Sequence, residues 1–273
     1  IAGMAQQNIR IVSLTVTEGG YYFDSSTSEL DVDHPDIVHD IENPTAPRTV
    51  FGAMIESLRL RRERGYGPFT GLCCDNLQSN GDILRKTVVS LARRIDSDLA
   101  EWIDGNCTFP NSMVDCIVPA TGKDELLLAR TSGVDDLVPV THENFRQWVI
   151  EDQFCAGRPN WEKVGVVFSD DVQNYEKMKI GILNGGHQIV AVPAELLSIE
   201  TIAGSIGDEV IKAFFLKTAR QEIIPHIDPV LEFSPQSYLN LIYKRFSNPK
   251  ILDTTRRAAF DGSSRRPGFI FPN

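Results

Sequence analysis

Along the first 170 residues, short β-branched runs alternate with amphipathic stretches of helical period. Ile9 to Thr17 (IRIVSLTVT) is apolar and β-branched, which predicts a buried parallel strand. The tight turn Glu18-Gly19-Gly20 ends it. Residues 24 to 47 are acidic and proline-containing and predict an irregular excursion from the core. Thr49 to Arg64 predicts a helix with Phe51, Met54, Ile55 and Leu58 on its apolar side, stopped by Gly65 and Gly67. A second strand is expected at Phe69 to Cys74, with Asp75-Asn76 at its end. Helices are expected over 80–94 and 98–104. A third strand is expected over Ser112 to Pro119 with Asp115 in its middle, and another over Val164 to Phe168.

From Gln173 onward only the helical period remains, over Tyr175 to about Leu197 and then around 200–220 and 236–246. The pattern predicts an α/β part over 1–170 and an all-helical part over 171–273. In open α/β sheets ligands bind where strands run out into loops. Glu18, Asn76 and Asp115 are polar residues at or beside such strands, although each alone reads as a turn former or cap.

Composition narrows the class. An apolar fraction of 42% and a charged fraction of 23% are those of a globular protein. A net charge of -10 argues against a nucleic-acid partner. No apolar run approaches the roughly 20 residues of a membrane span, and no signal peptide is legible, so a cytoplasmic location is expected. The five cysteines form no C-x-x-C pair, in keeping with a reducing compartment and no zinc cluster. His34 and His39 lie in DVDHPDIVHD, which reads as an exposed acidic loop rather than a metal site. G-x-G-x-x-G after a strand, a P-loop and G-x-S-x-G are all missing from the sequence.

The run YEKMKIGILNGGH, residues 175 to 187, concentrates chemistry. On a regular helix with Lys179 at zero, Glu176 falls at roughly 60°, His187 at roughly 80° and Asn184 at roughly 140°. A base, an amide donor and an imidazole on one face suit proton abstraction from an alcohol. The same run is also consistent with a short helix whose Lys177 and Lys179 face solvent and which ends at Asn184-Gly185. Near the other end of the chain, Arg256, Arg257, Arg265 and Arg266 cluster around Asp261-Gly262. They are either a solvated basic loop or donors for a polyhydroxylated or anionic ligand.

Taken in order, SLTVTEGGYY (13–22), PRTVFG (47–52), CDNLQSNGD (74–82), FPNSMVD (109–115), FRQWVIEDQF (145–154), YEKMKIGILNGGH (175–187), SNPKILDT and DGSSRRP resemble the mannitol dehydrogenase family of polyol-specific long-chain dehydrogenases. The resemblance covers nearly the whole chain. It implies a partial Rossmann-type NAD-binding domain followed by an all-helical substrate domain, here incomplete, with the active site between them. It also implies metal-independent hydride transfer between NAD and a polyol/ketose pair, with D-mannitol and D-fructose favoured. By position, Lys179 is similar to the family's general base, and Asn76 and Asn184 to its oxyanion donors. His187 is similar to a substrate-positioning group and Glu176 to a carboxylate passing the proton to solvent. Glu18, Asn76 and Asp115 match residues beside the nicotinamide, and Asp115, Arg257 and Arg265 match substrate-binding positions. A small-molecule partner and a monomer or weak oligomer are expected.

Two departures qualify the resemblance. The family's glycine-rich NAD loop, and the acidic residue that selects NAD over NADP, have no counterpart, so the chain is expected to be part of a longer protein or a fragment. LNGGH stands where many members carry LNASH, and two glycines are expected to loosen the helix near His187. The rival readings are a sugar-acid (fructuronate-type) reductase of the same family and a non-catalytic fragment.

Overall fold

The computed structural model describes residues 1–24, 29–119 and 121–260. It divides into two compact units: Ile1–Val114 with Gln147–Val172, and Asp115–Arg146 with Gln173–Asn273. The division is not a single cut along the chain.

The first unit runs β1 (Ile11–Leu14), a 3-10 turn (Glu18–Tyr21), β2 (Phe23–Asp24), β3 (Glu29–Leu30), α1 (Pro35–Glu42), α2 (Val50–Glu63), β4 (Thr70–Cys73), α3 (Asn80–Ile95), α4 (Ser97–Asn106) and β5 (Ser112–Asp115). After α5 (Lys123–Thr131), which belongs to the second unit, the chain returns through β6 (Gln147–Ile150) and β7 (Val167–Phe168). β1 and β4 pair in parallel, Ile11 opposite Thr70 and Leu14 opposite Cys73. β5, β6 and β7 form a second sheet in that order, with β6 and β7 parallel. Phe51, Met54 and Leu58 of α2 and Leu84, Val88 and Leu91 of α3 are fully buried in one apolar cluster with Leu14 and Cys73. This is the helix-on-sheet layer that the alternating pattern predicts.

The stretch 24–47 is more regular than its composition suggests. Pro35 occupies the first turn of α1, where its missing N–H costs nothing, and His34 Nδ1 accepts the Asp36 amide at 3.2 Å. Asp40 on that helix is fully buried. It accepts the amides of Arg48 (2.6 Å) and Thr49 (3.0 Å) and the Thr49 hydroxyl (2.6 Å). The same Thr49 hydroxyl accepts the Gly52 amide and so starts α2. The excursion is therefore a capped helix fastened to the next one. Further along the chain, α5 and β6 also had no counterpart in the pattern. α5 buries none of its residues, so it carries no apolar stripe, and β6 (QWVI) is too short and mixed to stand out. β5 is also shorter than expected and ends at Asp115.

The second unit contains α6 (Val172–Met178), a π-helical turn (Lys179–Asn184), α7 (Gly185–Leu196), α8 (Ile202–Gly207), α9 (Glu209–Thr218), a second π stretch (Ala219–Ile223), α10 (Pro235–Phe246) and α11 (Thr255–Ala259). Ile182, Val190, Ala194, Phe215, Leu239 and Ile242 are fully buried in its core. The two glycines do not break the helix, since α7 continues through both. A Cβ at Gly186 would lie 2.9 Å from Phe215 Cε2 and 3.3 Å from Phe246 Cε2, so glycine there lets two aromatic rings close on the helix. No helix among the described residues is long and apolar enough to cross a membrane.

Gly81 makes the closest backbone approach in the first unit. A Cβ there would meet Phe109 O at 2.4 Å and Pro110 C at 2.5 Å, both backbone atoms. Gly81→Ala is expected to destabilise the protein by about 1–3 kcal/mol, read as a lower denaturant midpoint with unchanged slope. An unshifted midpoint would show that α3 can move off that backbone freely.

A candidate active site on a π-helical turn

Lys177 and Lys179 part company in the structure: Lys177 is exposed and Lys179 is only 7% exposed. Glu176, one turn earlier, is 4% exposed. The reading in which both lysines face solvent and the helix ends at Asn184-Gly185 is therefore overturned. The reason is visible in the sequence: Tyr175, Met178, Ile182 and Leu183 surround Lys179 on the face that packs into the core.

The helix is not regular here. Residues 179–184 form a π turn, in which the Gly185 amide bonds to the Ile180 carbonyl five residues back. A π turn takes in an extra residue, and each one sets all later positions back by about 100°. With one residue absorbed, Asn184 moves from roughly 140° to roughly 40°, and His187 from roughly 80° to roughly -20°, relative to Lys179. The regular-helix reckoning understated the alignment. Lys179, Asn184 and His187 lie on a narrower stripe than a uniform α-helix allows, with Glu176 still at roughly 60°.

His187 is fixed on three sides. Its Nδ1 is 3.1 Å from the Leu183 carbonyl oxygen, which can only accept. Its ring lies 4.4 Å from Phe246, tilted by 51°. Its Nε2 lies 3.3 Å from Asp253 Oδ2, close enough for charge to be felt but not aligned as a hydrogen bond. Asp253 is buried and grips Arg257, which donates from Nε at 2.8 Å and Nη2 at 2.7 Å. Burial pushes the Asp253 carboxyl up, but His187 and Arg257 outweigh it and hold it below its ordinary 3.8. Arg257 itself is 60% exposed. One buried carboxylate thus links two residues expected to bind substrate. Sequence reasoning missed Asp253, although its i, i+4 spacing to Arg257 was legible.

Asp115 has a full set of internal partners. Its two oxygens accept from Arg245 Nη2 at 2.8 Å and Nη1 at 2.7 Å, and Oδ2 also accepts from the Tyr238 hydroxyl at 3.1 Å. Arg245 donates onward to Glu143 at 3.0 and 2.7 Å. Burial alone would lower the Arg245 pKa, but the two carboxylates raise it, so it stays charged. None of Arg245, Glu143 or Tyr238 was singled out in the sequence. The available signal was an arginine at 245 on the buried stripe of Tyr238, Leu239, Ile242 and Phe246.

Asn76 is exposed, in the turn after β4, and belongs to the first unit. Glu18 opens the 3-10 turn after β1. The Glu18 side chain and all of Arg265 lie outside the described residues, as do Asp261, Gly262 and Arg266. Among the described residues, no three His, Cys, Asp or Glu are grouped to hold a metal ion.

Two predictions come from these pairings. Arg245→Met removes the cation from between two buried carboxylates and is expected to cost about 3–5 kcal/mol in denaturant unfolding. Asp253 has a folded pKa below its unfolded one, so its contribution is fully present above the ordinary value of 3.8 and is lost as pH falls through the folded value. The stability gap between the unaltered chain and Asp253→Asn should therefore be constant near neutrality and close below about pH 4. A gap that widens on acidification would contradict the pairing.

Comparison with known proteins agrees with this architecture. The family model described as the mannitol dehydrogenase Rossmann domain matches residues 1–163, and that of the mannitol dehydrogenase C-terminal domain matches residues 171–273. Mannitol 2-dehydrogenase of Cereibacter sphaeroides is 53% identical over 100% of the chain and 57% of its own length. D-mannonate oxidoreductase of Escherichia coli K12 is 43% identical over 97% of the chain and 54% of its own length. The solved ternary complex of Pseudomonas fluorescens mannitol 2-dehydrogenase with NAD and D-mannitol superposes with a TM-score of 0.91 at 41% identity, covering 99% of this chain and 55% of that one. The chain spans about half the length of the curated relatives it matches. With a matching α/β part, a matching helical part and a lysine-bearing π turn in the latter, the chain belongs to the mannitol dehydrogenase family.

Proposed function

We propose that this chain carries the catalytic centre of an NAD-dependent, metal-independent polyol dehydrogenase interconverting D-mannitol and D-fructose. The observation that carries the reading is the buried Lys179 on a π turn that brings Asn184 and His187 into line with it. The names of the relatives support it, as does the bound NAD and D-mannitol of the Pseudomonas fluorescens neighbour.

The fit to NAD is partial. The parallel strands β1 and β4 end beside the turns that carry Glu18 and Asn76, the kind of place where open α/β sheets hold ligands. The start of α3 offers no phosphate cradle, because the Gly81 and Asp82 amides already bond to Asn111 Oδ1 at 2.9 and 3.2 Å. The residues present suit the nicotinamide end of the dinucleotide. Bound NAD supplies a carbon that accepts the hydride. Lys179 takes the hydroxyl proton as the C–H bond breaks and the carbonyl forms, and Glu176 passes that proton on. Asn184 donates to the oxygen while it carries negative charge, a role the resemblance also gives to Asn76. His187, braced by Leu183 and Asp253, positions the substrate hydroxyls.

The rival reading, a sugar-acid reductase, is favoured by the D-mannonate oxidoreductase relative. A carboxylate substrate needs an uncommitted cation. Arg257 is already matched by the buried Asp253, which supports the neutral polyol.

NADH oxidation measured with fructose beside fructuronate separates the two, and turnover of the acid alone would exclude the mannitol reading. Lys179→Ala is expected to lower turnover by about 100- to 10,000-fold with NADH affinity retained. Asn184→Ala is expected to cost about 100- to 1,000-fold. Wild-type turnover in the lysine variant removes Lys179 from the mechanism. Absence of both NADH binding and turnover in the 273-residue chain would favour a non-catalytic role.

A further inference from the structure

Among the described residues, the turn after β1 holds the most strained backbone. Thr17 has φ 63° and ψ 163°, a combination that is essentially reserved for glycine and that a β-branched residue resists. Tyr22, at the far end of the same turn, and Ser79, after β4, also have positive φ, 51° and 52°. Three of the four positive-φ residues other than glycine among those described thus fall in the turns that follow the two paired strands. Glycine stands at 19 and 20 in this turn, yet not at the position whose dihedrals call for it.

Asp75, buried and one residue before Asn76, accounts for how Thr17 is held. Its Oδ2 accepts the Val16 amide at 2.9 Å and its Oδ1 the Thr17 amide at 3.0 Å. The Tyr21 hydroxyl, from the end of the 3-10 turn, donates to Oδ2 at 2.7 Å, and the Tyr21 ring is buried against Phe51. From the other side, Asn80 Nδ2 donates to the carbonyl oxygens of Asp75 (3.0 Å) and Ser112 (2.8 Å). Both ends of the Val16–Tyr21 turn are therefore fastened to the Asp75 carboxylate, and the backbone leading into Asn76 is held by the Asn80 amide.

We propose that Asp75 and Thr17 are positioning residues for the hydride transfer. Asp75 holds Thr17 in a conformation it would not otherwise adopt, and the strained turn fixes the backbone that presents Glu18 and Asn76. The inference rests on the function proposed above. A carboxylate kept only to tie two loops together has no need to force an exposed threonine into glycine's region of conformational space. A rigid presentation of reacting groups does, because misplacement by about 1 Å costs on the order of 100-fold in rate.

Thr17→Gly is the decisive variant. Thr17 is exposed, so the change removes strain without removing core packing. In the full chain, with NAD and D-mannitol, the thermal midpoint is expected to stay level or rise. At the same time kcat should fall by about 10-fold or more, with KM for the polyol nearly unchanged. Asp75→Asn keeps the shape but turns an NH2 group towards one of the two backbone amides, and is expected to lose about 100-fold in kcat. If Asp75→Asn fails to fold, Thr17→Gly still decides. Wild-type kcat in Thr17→Gly, in a chain that itself turns over, overturns the positioning role and leaves the function intact. Absence of turnover in the unaltered chain overturns both.

Discussion

A guanidinium that is 4% exposed has to be answered by carboxylates, and Arg245 is answered by two. Asp115 meets it with both oxygens and Glu143 with two more contacts, while the Phe145 ring covers its cationic face at 4.3 Å. Asp115 and Glu143 lie near the two ends of the segment Asp115–Arg146, which folds with the helices rather than with the sheets on either side of it. That segment brings little apolar burial of its own, since α5 buries no residue and Val118, Leu127, Leu128, Val138 and Val140 are exposed. Its membership in the helical unit thus depends on a charge cluster. Breaking such a cluster is costly because the partners are left as uncompensated buried charges.

The same economy recurs around His187. Asp253 is one buried carboxylate serving an imidazole and a guanidinium, and it fixes the start of α11 against α7 through residues expected to touch substrate. Gln188, next to His187, donates to the Ala258 carbonyl at 2.6 Å and closes the same contact. The residues proposed to position substrate are here also the fastening between helices, so a substitution at Asp253 is expected to touch stability and binding together.

The legible part of this molecule was its periodic part. The helices over 50–63, 80–95, 97–106 and 235–246 and the strand at 70–73 fall where apolar spacing puts them, because each buries a continuous stripe. The residue identities of the candidate site were legible as well, since Lys179, Asn184 and His187 sit within nine consecutive positions. What was hidden depends on contacts between distant positions. Asp40 capping the approach to Thr49, Asp75 holding Val16 and Thr17, and Arg245 meeting Asp115 across 130 residues leave no periodic trace. α1 was hidden for a different reason: its acidic, proline-led sequence resembles a loop until His34 is seen capping it.

The π turn shows why uniform helical periodicity gave the candidate residues the wrong geometry. In a uniform α-helix, positions i and i+5 are separated by roughly 140°, so Lys179 and Asn184 would lie at opposite margins of one broad face. A turn that takes in an extra residue brings them onto a narrow stripe, and such turns recur at functional sites. Strain at Thr17 belongs to the same logic in the other unit: a local conformation that costs free energy persists where the surrounding contacts over-determine it. In both units the regular elements supply the burial, and the departures from regularity coincide with the residues on which the proposed chemistry depends. A chain with the same apolar pattern but a regular helix through 179–187 would keep its core and lose the alignment of Lys179 with Asn184.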